Sequence, residues 1–174
     1  LGTAGAVKNA EELIDDEAFL VLNGDILTDL DLDAFMEHHR ARGAAGPTAL
    51  TPVEDPSAFG LVRLFDDGAV DAFVEKPAPG DLIPGEPFRI NAGTYLLEPE
   101  VLARIPAGRS CSIEREIFPL LAQDGTLFGF PSDAYWRDIG TPASYLSAVH
   151  DVLTGALHTE SPTGVAYLGE GVAN

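Results

Sequence analysis

Three short stretches carry residues whose chemistry suits a charged ligand. Phe19-Leu20-Val21-Leu22-Asn23-Gly24-Asp25 ends an apolar run on a carboxylate. Glu75-Lys76-Pro77 sets a lysine beside an acid, and Trp136-Arg137-Asp138 brings the single tryptophan close to a second carboxylate. An aspartate at the carboxyl end of a buried strand lies where open α/β sheets bind ligands. Its charge needs water, a cation or a hydrogen bond to be stable there. Asp25 and Asp138 together are able to share a divalent cation, which takes oxygen ligands. Each also has a local explanation, as a turn residue satisfying backbone amides. Glu75 and Lys76 read equally as a surface ion pair, but adjacent strand residues face opposite ways. They are therefore expected to do separate jobs, accepting from a hydroxyl and neutralising a phosphate, with Pro77 keeping Lys76 extended.

Composition narrows what such a site would serve. The chain has 174 residues, with 45% hydrophobic and 22% charged, which suits one soluble globular domain, or one domain plus part of another. A net charge of −18 argues against nucleic-acid or anionic-membrane binding, both of which need a basic surface. It also means that any bound phosphate must be held by local cations against a repulsive field. Lys8 and Lys76 are the only lysines, which draws attention to Lys76. Cys111 is the one cysteine, which rules out an internal disulfide and is compatible with a reducing cytoplasm. No apolar run is long enough to span a bilayer, and no Cys/His cluster has zinc spacing.

The elements that must position these residues follow from pattern. Phe19-Leu20-Val21-Leu22 predicts a strand buried on both faces. Before it, Leu1-Gly2-Thr3-Ala4-Gly5 leads into a helix over 7–13 with Thr3 as N-cap. Small residues at that helix start would let a ligand approach backbone amides. Asp29, Asp31 and Asp33 resemble a D-x-D metal motif, but acids at the start of a helix over 32–42, stopped by Gly43, explain them more simply. Strands are expected at 48–52, 61–65 and 69–74, the last two a hairpin through Asp66-Asp67-Gly68. A strand over 89–97 is interrupted by Asn91 and Gly93, where a glycine often marks close approach of a ligand or another backbone. A short helix at 99–104, a longer one at 112–123 capped by Ser112 with a possible kink at Pro119, and a short strand at 126–130 follow. Thr141 caps, and Pro142 begins, a helix to about 153. The tail over 161–172 spaces small and aliphatic residues like one coil of a hexapeptide β-helix, which cannot bury its own face alone. With Leu at position 1, the chain is expected to be a fragment.

Taken together, Leu1-Gly2-Thr3-Ala4-Gly5, Asn23-Gly24-Asp25, Phe59-Gly60, Glu75-Lys76-Pro77, Asn91-Ala92-Gly93 and Trp136-Arg137-Asp138-Ile139-Gly140-Thr141-Pro142 resemble, in order, the sugar-1-phosphate nucleotidylyltransferases. The resemblance covers nearly the whole chain and is greatest to the mannose-1-phosphate guanylyltransferase branch, which carries a C-terminal left-handed β-helix. It implies an α/β fold with a Rossmann-like mixed, mainly parallel sheet flanked by helices over residues 1–155. Residues 156–174 would be a linker and the first coil of the β-helix. The implied reaction is nucleotidyl transfer from an NTP to a sugar 1-phosphate, giving NDP-sugar and pyrophosphate, with GTP and mannose 1-phosphate as substrates. Asp25 and Asp138 would hold Mg²⁺, and Lys76 would contact the sugar's phosphate. Gly2, Thr3 and Gly24 would contact the nucleotide, and Gly60, Glu75, Asn91 and Gly93 the sugar. A cytoplasmic homo-oligomer is implied for the full-length protein, binding neither nucleic acid nor membrane. The family's Gly-rich triphosphate loop and the first strand of its sheet would precede Leu1. The fragment alone is thus expected to be inactive and to leave a sheet edge unpaired. Glucose-1-phosphate thymidylyl or uridylyl transfer, a catalytically silent sensor of NDP-sugar, and a glycosyltransferase using Asp29 and Asp31 remain as alternatives.

Overall fold

The structure is a computed structural model that describes residues 1–43, 45–82 and 88–157. The expected β-helix coil lies outside the described residues. Helix α1 (Gly2–Asn9) precedes β1 (Phe19–Leu22) and β2 (Ile26–Thr28), and α2 (Leu32–Arg42) leads to β3 (Gly46–Val53). Asp31 caps α2, its carboxylate accepting from Ala34 N at 2.9 Å, and Gly43 closes the helix in the left-handed conformation. The expected hairpin is β4 (Gly60–Leu64) with β5 (Val70–Glu75), followed by the ten-residue β6 (Phe88–Leu97). Next come α3 (Phe118–Gln123), β7 (Leu127–Pro131), β8 (Trp136–Asp138) and α4 (Pro142–Thr154). Residues 99–104 wind as a 3-10 helix, with Pro99 at its first turn. The helix expected over 112–123 is divided into a π turn, Ile113–Ile117, and α3, with Pro119 near the start of α3. Pro119 has no N–H to give to the ladder, which accounts for the break at that point.

Six strands form one mixed sheet in the order β5-β4-β6-β3-β7, and β1 also pairs with β6. Strands β1, β3, β4 and β7 run one way, yet only the β3–β7 pair is parallel. The sheet is therefore mixed as expected, but its pairings are mainly antiparallel rather than mainly parallel. The reason is β6, which lies antiparallel against β1, β3 and β4, while β5 folds back as a hairpin. Helices cover both faces. Tyr95 and Leu97 of β6 pack with Phe118 and Leu121 of α3 on one side, and Ala92 and Leu96 pack with Phe35 of α2 on the other. Burying such side chains contributes about 1.5–3 kcal/mol each, so β6 is the fixed reference of the fold. The outer edge of β1 has no strand partner among the described residues.

The pairing of β6 leaves a break. Val21 of β1 faces Tyr95, Leu61 of β4 faces Ile90, and β3 occupies the opposite edge at both places. Hence β1 and β4 share one edge of β6, end to end, and on that edge the stretch Asn91-Ala92-Gly93 between them has no strand partner among the described residues. Asn23 N donates to Gly93 O at 2.8 Å as β1 runs out. A second, two-stranded ribbon of β2 and β8 stands beside the gap, its register pairing Ile26 with Asp138.

Candidate active site

A cavity of about 410 Å³ opens at this break, and Asn91 and Gly93 of β6 are among its lining residues. Gly93 has φ of 73°, and a Cβ there would stand 2.8 Å from Asn23 Nδ2. Glycine is thus required both by the backbone and by the close approach of the β1 end. Asn91 holds the bend from its own side chain: Oδ1 accepts from Gly93 N and from Thr48 Oγ1, both at 3.1 Å, and Nδ2 donates to Tyr95 OH at 2.7 Å.

The ribbon brings the two aspartates together. Asp25 lies just before β2 and Asp138 at the end of β8, and Ile139 N donates to Asp25 O at 2.8 Å. A point beside Gly140, where a Cβ would sit, is 3.0 Å from Asp138 Oδ1 and 3.7 Å from Asp25 Oδ2. A side chain at residue 140 would therefore crowd both carboxylates. Asp138 Oδ1 also accepts from Gly140 N at 2.7 Å. Trp136 anchors β8 to the sheet, its indole N–H donating to Ala92 O at 2.9 Å and its ring meeting Phe59 edge-on at 5.6 Å. Two carboxylates on one side of a cavity fit a hard cation that completes its shell with substrate oxygens and water, as Mg²⁺ does. Among the described residues no group of three or more acidic, histidine or cysteine side chains is placed to ligate a metal, so any cation here would rely on such outside ligands.

Of the residues singled out by sequence, Gly2, Thr3, Asp25, Gly60, Asn91, Gly93 and Asp138 line this cavity. Gly24 lies in the turn between Asn23 and Asp25, with nothing within 4 Å of where its Cβ would be. Glu75 pairs with Gly60 through the backbone, next to the cavity wall. Lys76 is exposed and is not among the lining residues. It is not extended as Pro77 predicts but left-handed, at φ 51°. Its N–H donates to Phe59 O at 2.8 Å, which closes the hairpin and forces the turn. A non-glycine residue held there carries roughly 1–3 kcal/mol of strain, a cost found most often at functional sites.

Thr3 is not the cap of α1, which starts from Leu1 without a side-chain cap. Its hydroxyl instead donates to Glu114 Oε2 at 2.8 Å and accepts from Ile113 N at 2.8 Å. Ser112 Oγ donates to the same Glu114 oxygen at 2.7 Å, and Tyr95 OH donates to Oε1 at 3.3 Å. Tyr95 is buried, and its phenol is pushed well above its ordinary value, first by burial and then by the Glu114 charge. Tyr95 is therefore a fixed neutral bridge between Asn91 and Glu114. Ser112, Glu114, Arg115 and Trp136 all line the cavity and were not singled out as site residues from sequence. An acid two places after a cap reads as dipole compensation, and only the fold shows that Glu114 turns toward α1. Arg115 is the one basic side chain lining the cavity among the described residues. Asp31 and Asp29 lie elsewhere in role: Asp31 caps α2, and Asp29 accepts from Tyr135 N at 2.8 Å.

Residues 1–155 match the family described as nucleotidyl transferase. The chain is similar to a Mycobacterium tuberculosis protein named mannose-1-phosphate guanylyltransferase, 38% identical over 89% of this chain and 42% of the relative. A Candida albicans mannose-1-phosphate guanyltransferase is 41% identical over 88% of this chain and 42% of its own. The chain thus spans less than half the length of these curated relatives. Among solved structures, HddC from Yersinia pseudotuberculosis complexed with GMP-PN superposes with a TM-score of 0.70 at 30% identity, over 87% of this chain and 63% of that one.

Proposed function

Because the chain belongs to the nucleotidyl transferase family, we propose that the full-length protein joins GTP to mannose 1-phosphate, giving GDP-mannose and pyrophosphate. An oxygen of the sugar phosphate attacks the α-phosphorus of the nucleotide, and the bond from that phosphorus to the bridging oxygen of the β-phosphate breaks in line. Such transfers depend on positioning and charge neutralisation, with little covalent work for the protein. Cys111 is buried, and burial raises its thiol pKa, so it offers no thiolate nucleophile. The observation that carries the reading is the meeting of Asp25 and Asp138 beside Gly140, in the lining of one cavity.

In this reading Asp25 and Asp138 hold Mg²⁺. When bound, the cation would neutralise phosphate oxygens as charge builds between attacking and leaving groups. Gly2, Thr3 and Gly24 accommodate the nucleotide, and Gly60, Glu75, Asn91 and Gly93 the sugar. Lys76, with Arg115, neutralises phosphate against the field of an acidic chain. Relatives named for guanylyl transfer to mannose 1-phosphate support this choice of substrates. A neighbour whose title names GMP-PN supports guanine as the base. No helix among the described residues is long and apolar enough to cross a membrane, and we take the full-length protein to be a cytoplasmic homo-oligomer.

The test is pyrophosphate release by the full-length protein with Mg²⁺ across a matrix of NTPs and hexose 1-phosphates. GTP with mannose 1-phosphate is expected to give the highest kcat/KM, and Asp25→Asn to lower it roughly 10²–10³-fold, the scale of losing one preorganised electrostatic group. Pyrophosphate release with no pair, or an undiminished rate in Asp25→Asn, would overturn the reading.

A further inference from the structure

Strand β8 has three residues and its β partner, β2, has three. Two-stranded ribbons of this length are marginal on their own, so something else must fix Asp138. The site-facing anchor is Trp136. The opposite anchor is Asp151 of α4, whose Oδ2 meets three donors of the ribbon: Tyr135 OH at 2.6 Å, Arg137 Nη2 at 2.7 Å and Arg137 Nε at 2.9 Å. The Arg137 guanidinium also lies 5.9 Å from the centre of the Tyr135 ring. The Tyr135 hydroxyl first, and Arg137 with it, hold the Asp151 carboxyl below its ordinary value. Ser144 Oγ of the same helix donates to Asp138 O. Successive strand residues point to opposite faces, so the turn of Arg137 toward α4 sets the turn of Asp138 toward the cavity.

We propose that Asp151 is a positioning residue for the Asp25–Asp138 pair, and that it sets the cavity's affinity for a divalent cation without touching the cation. The proposal rests on the preceding reading of the two aspartates as cation ligands and adds the group that orients them. Two guanidinium N–H groups meet one carboxylate oxygen here, and charge-assisted hydrogen bonds are the strong ones. Losing Asp151 leaves the Arg137 guanidinium with Tyr135 alone and loosens the hold on the α4 side of β8. A purely structural Asp151 would secure α4 and leave cation binding alone.

The experiment is a Mn²⁺ titration of the full-length protein, read by the electron paramagnetic resonance signal of free Mn²⁺, alongside thermal unfolding. Asp151→Ala is expected to weaken Mn²⁺ binding about tenfold or more, the usual effect of removing a group that orients metal ligands. Asp151→Asn, which keeps an acceptor oxygen, recovers part of that loss. Arg137→Lys removes the fork but keeps the charge, and weakens binding in the same direction should Asp151→Ala fail to fold. An Mn²⁺ affinity within twofold of wild type in folded Asp151→Ala, or in Arg137→Lys, overturns the proposal. Wild-type Mn²⁺ binding that is absent, or unaltered by Asp25→Asn, overturns the cation reading itself, and is a distinct result.

Discussion

The sheet around β6 and the ribbon beside it are held in opposite ways. Leu50, Leu97, Phe118 and Leu121 on one face of the sheet, and Phe35 and Ala49 on the other, have no exposed surface. Across the cavity, α4 buries only Ala148, while Leu146 and Leu153 are 67% and 81% exposed. There the ribbon is fastened by directed polar contacts from Trp136, Arg137, Asp151 and Ser144. Apolar burial is non-directional and grows with area, so it builds a stable wall. Hydrogen bonds contribute little net stability, about 0.5–1.5 kcal/mol each, but they fix angles. A stable wall thus faces an oriented one, and the charged ligand groups stand on the oriented side.

The sharpest way to break this contrast is to hollow the sheet side. Phe118 meets Tyr95 at 4.9 Å and Phe73 at 5.7 Å between ring centres. Phe118→Ala should cost about 3–5 kcal/mol in denaturant unfolding of the full-length protein. A loss below 1 kcal/mol would mean that burial is not what holds this half. A smaller effect of the reverse kind is expected at Gly140. Its new Cβ would press on Asp138 Oδ1 from 3.0 Å, so Gly140→Ala should slow transfer about tenfold. Its unfolding free energy should stay within about 0.5 kcal/mol of wild type. Equal activity, or a large loss of stability, would blur the distinction.

The smallest effect concerns pH. His38 of α2 packs against Phe130, and its buried Nε2 has no hydrogen-bond partner among the described residues. Burial first, then Arg42 and His39, lower its pKa below the ordinary 6.5. The unfolded chain therefore takes up that proton first. Stability is at its full value above about pH 6.5 and declines as pH falls toward the lower folded value. His38→Gln should flatten this slope between pH 7 and 5 in unfolding titrations, and an unchanged slope would remove His38 as its source.

What could be read from sequence was what the chain decides locally. Asp31 and Gly43 bracket α2, and Thr141 with Pro142 starts α4, since caps and stops act within a turn. The strand Phe19–Leu22 was legible from its apolar run, but not its setting: it is not buried on both faces as expected, since among the described residues it pairs only with β6 and leaves Leu20 and Leu22 36% and 57% exposed. The strand-end position of Asp25 and Asp138 suggested a shared cation, and the fold puts their carboxyls beside one glycine. Contacts between distant segments were not legible. Thr3 reads as a cap, yet its hydroxyl is committed to Glu114, more than a hundred residues away. Pro77 predicts an extended Lys76, but a bond from Lys76 N to Phe59 O overrides that preference. The order of β1 and β4 along one edge of β6 is likewise a property of the whole sheet, and no local pattern encodes it.

That end-to-end order has a consequence for how such a cavity diversifies. Gly93, one of its lining residues, offers only peptide there, so that amide persists through most codon changes nearby. A lineage that altered its choice of ligand would have little to edit there. It would rewrite the rim, where Phe59, Glu114 and Trp136 stand, and leave that peptide untouched.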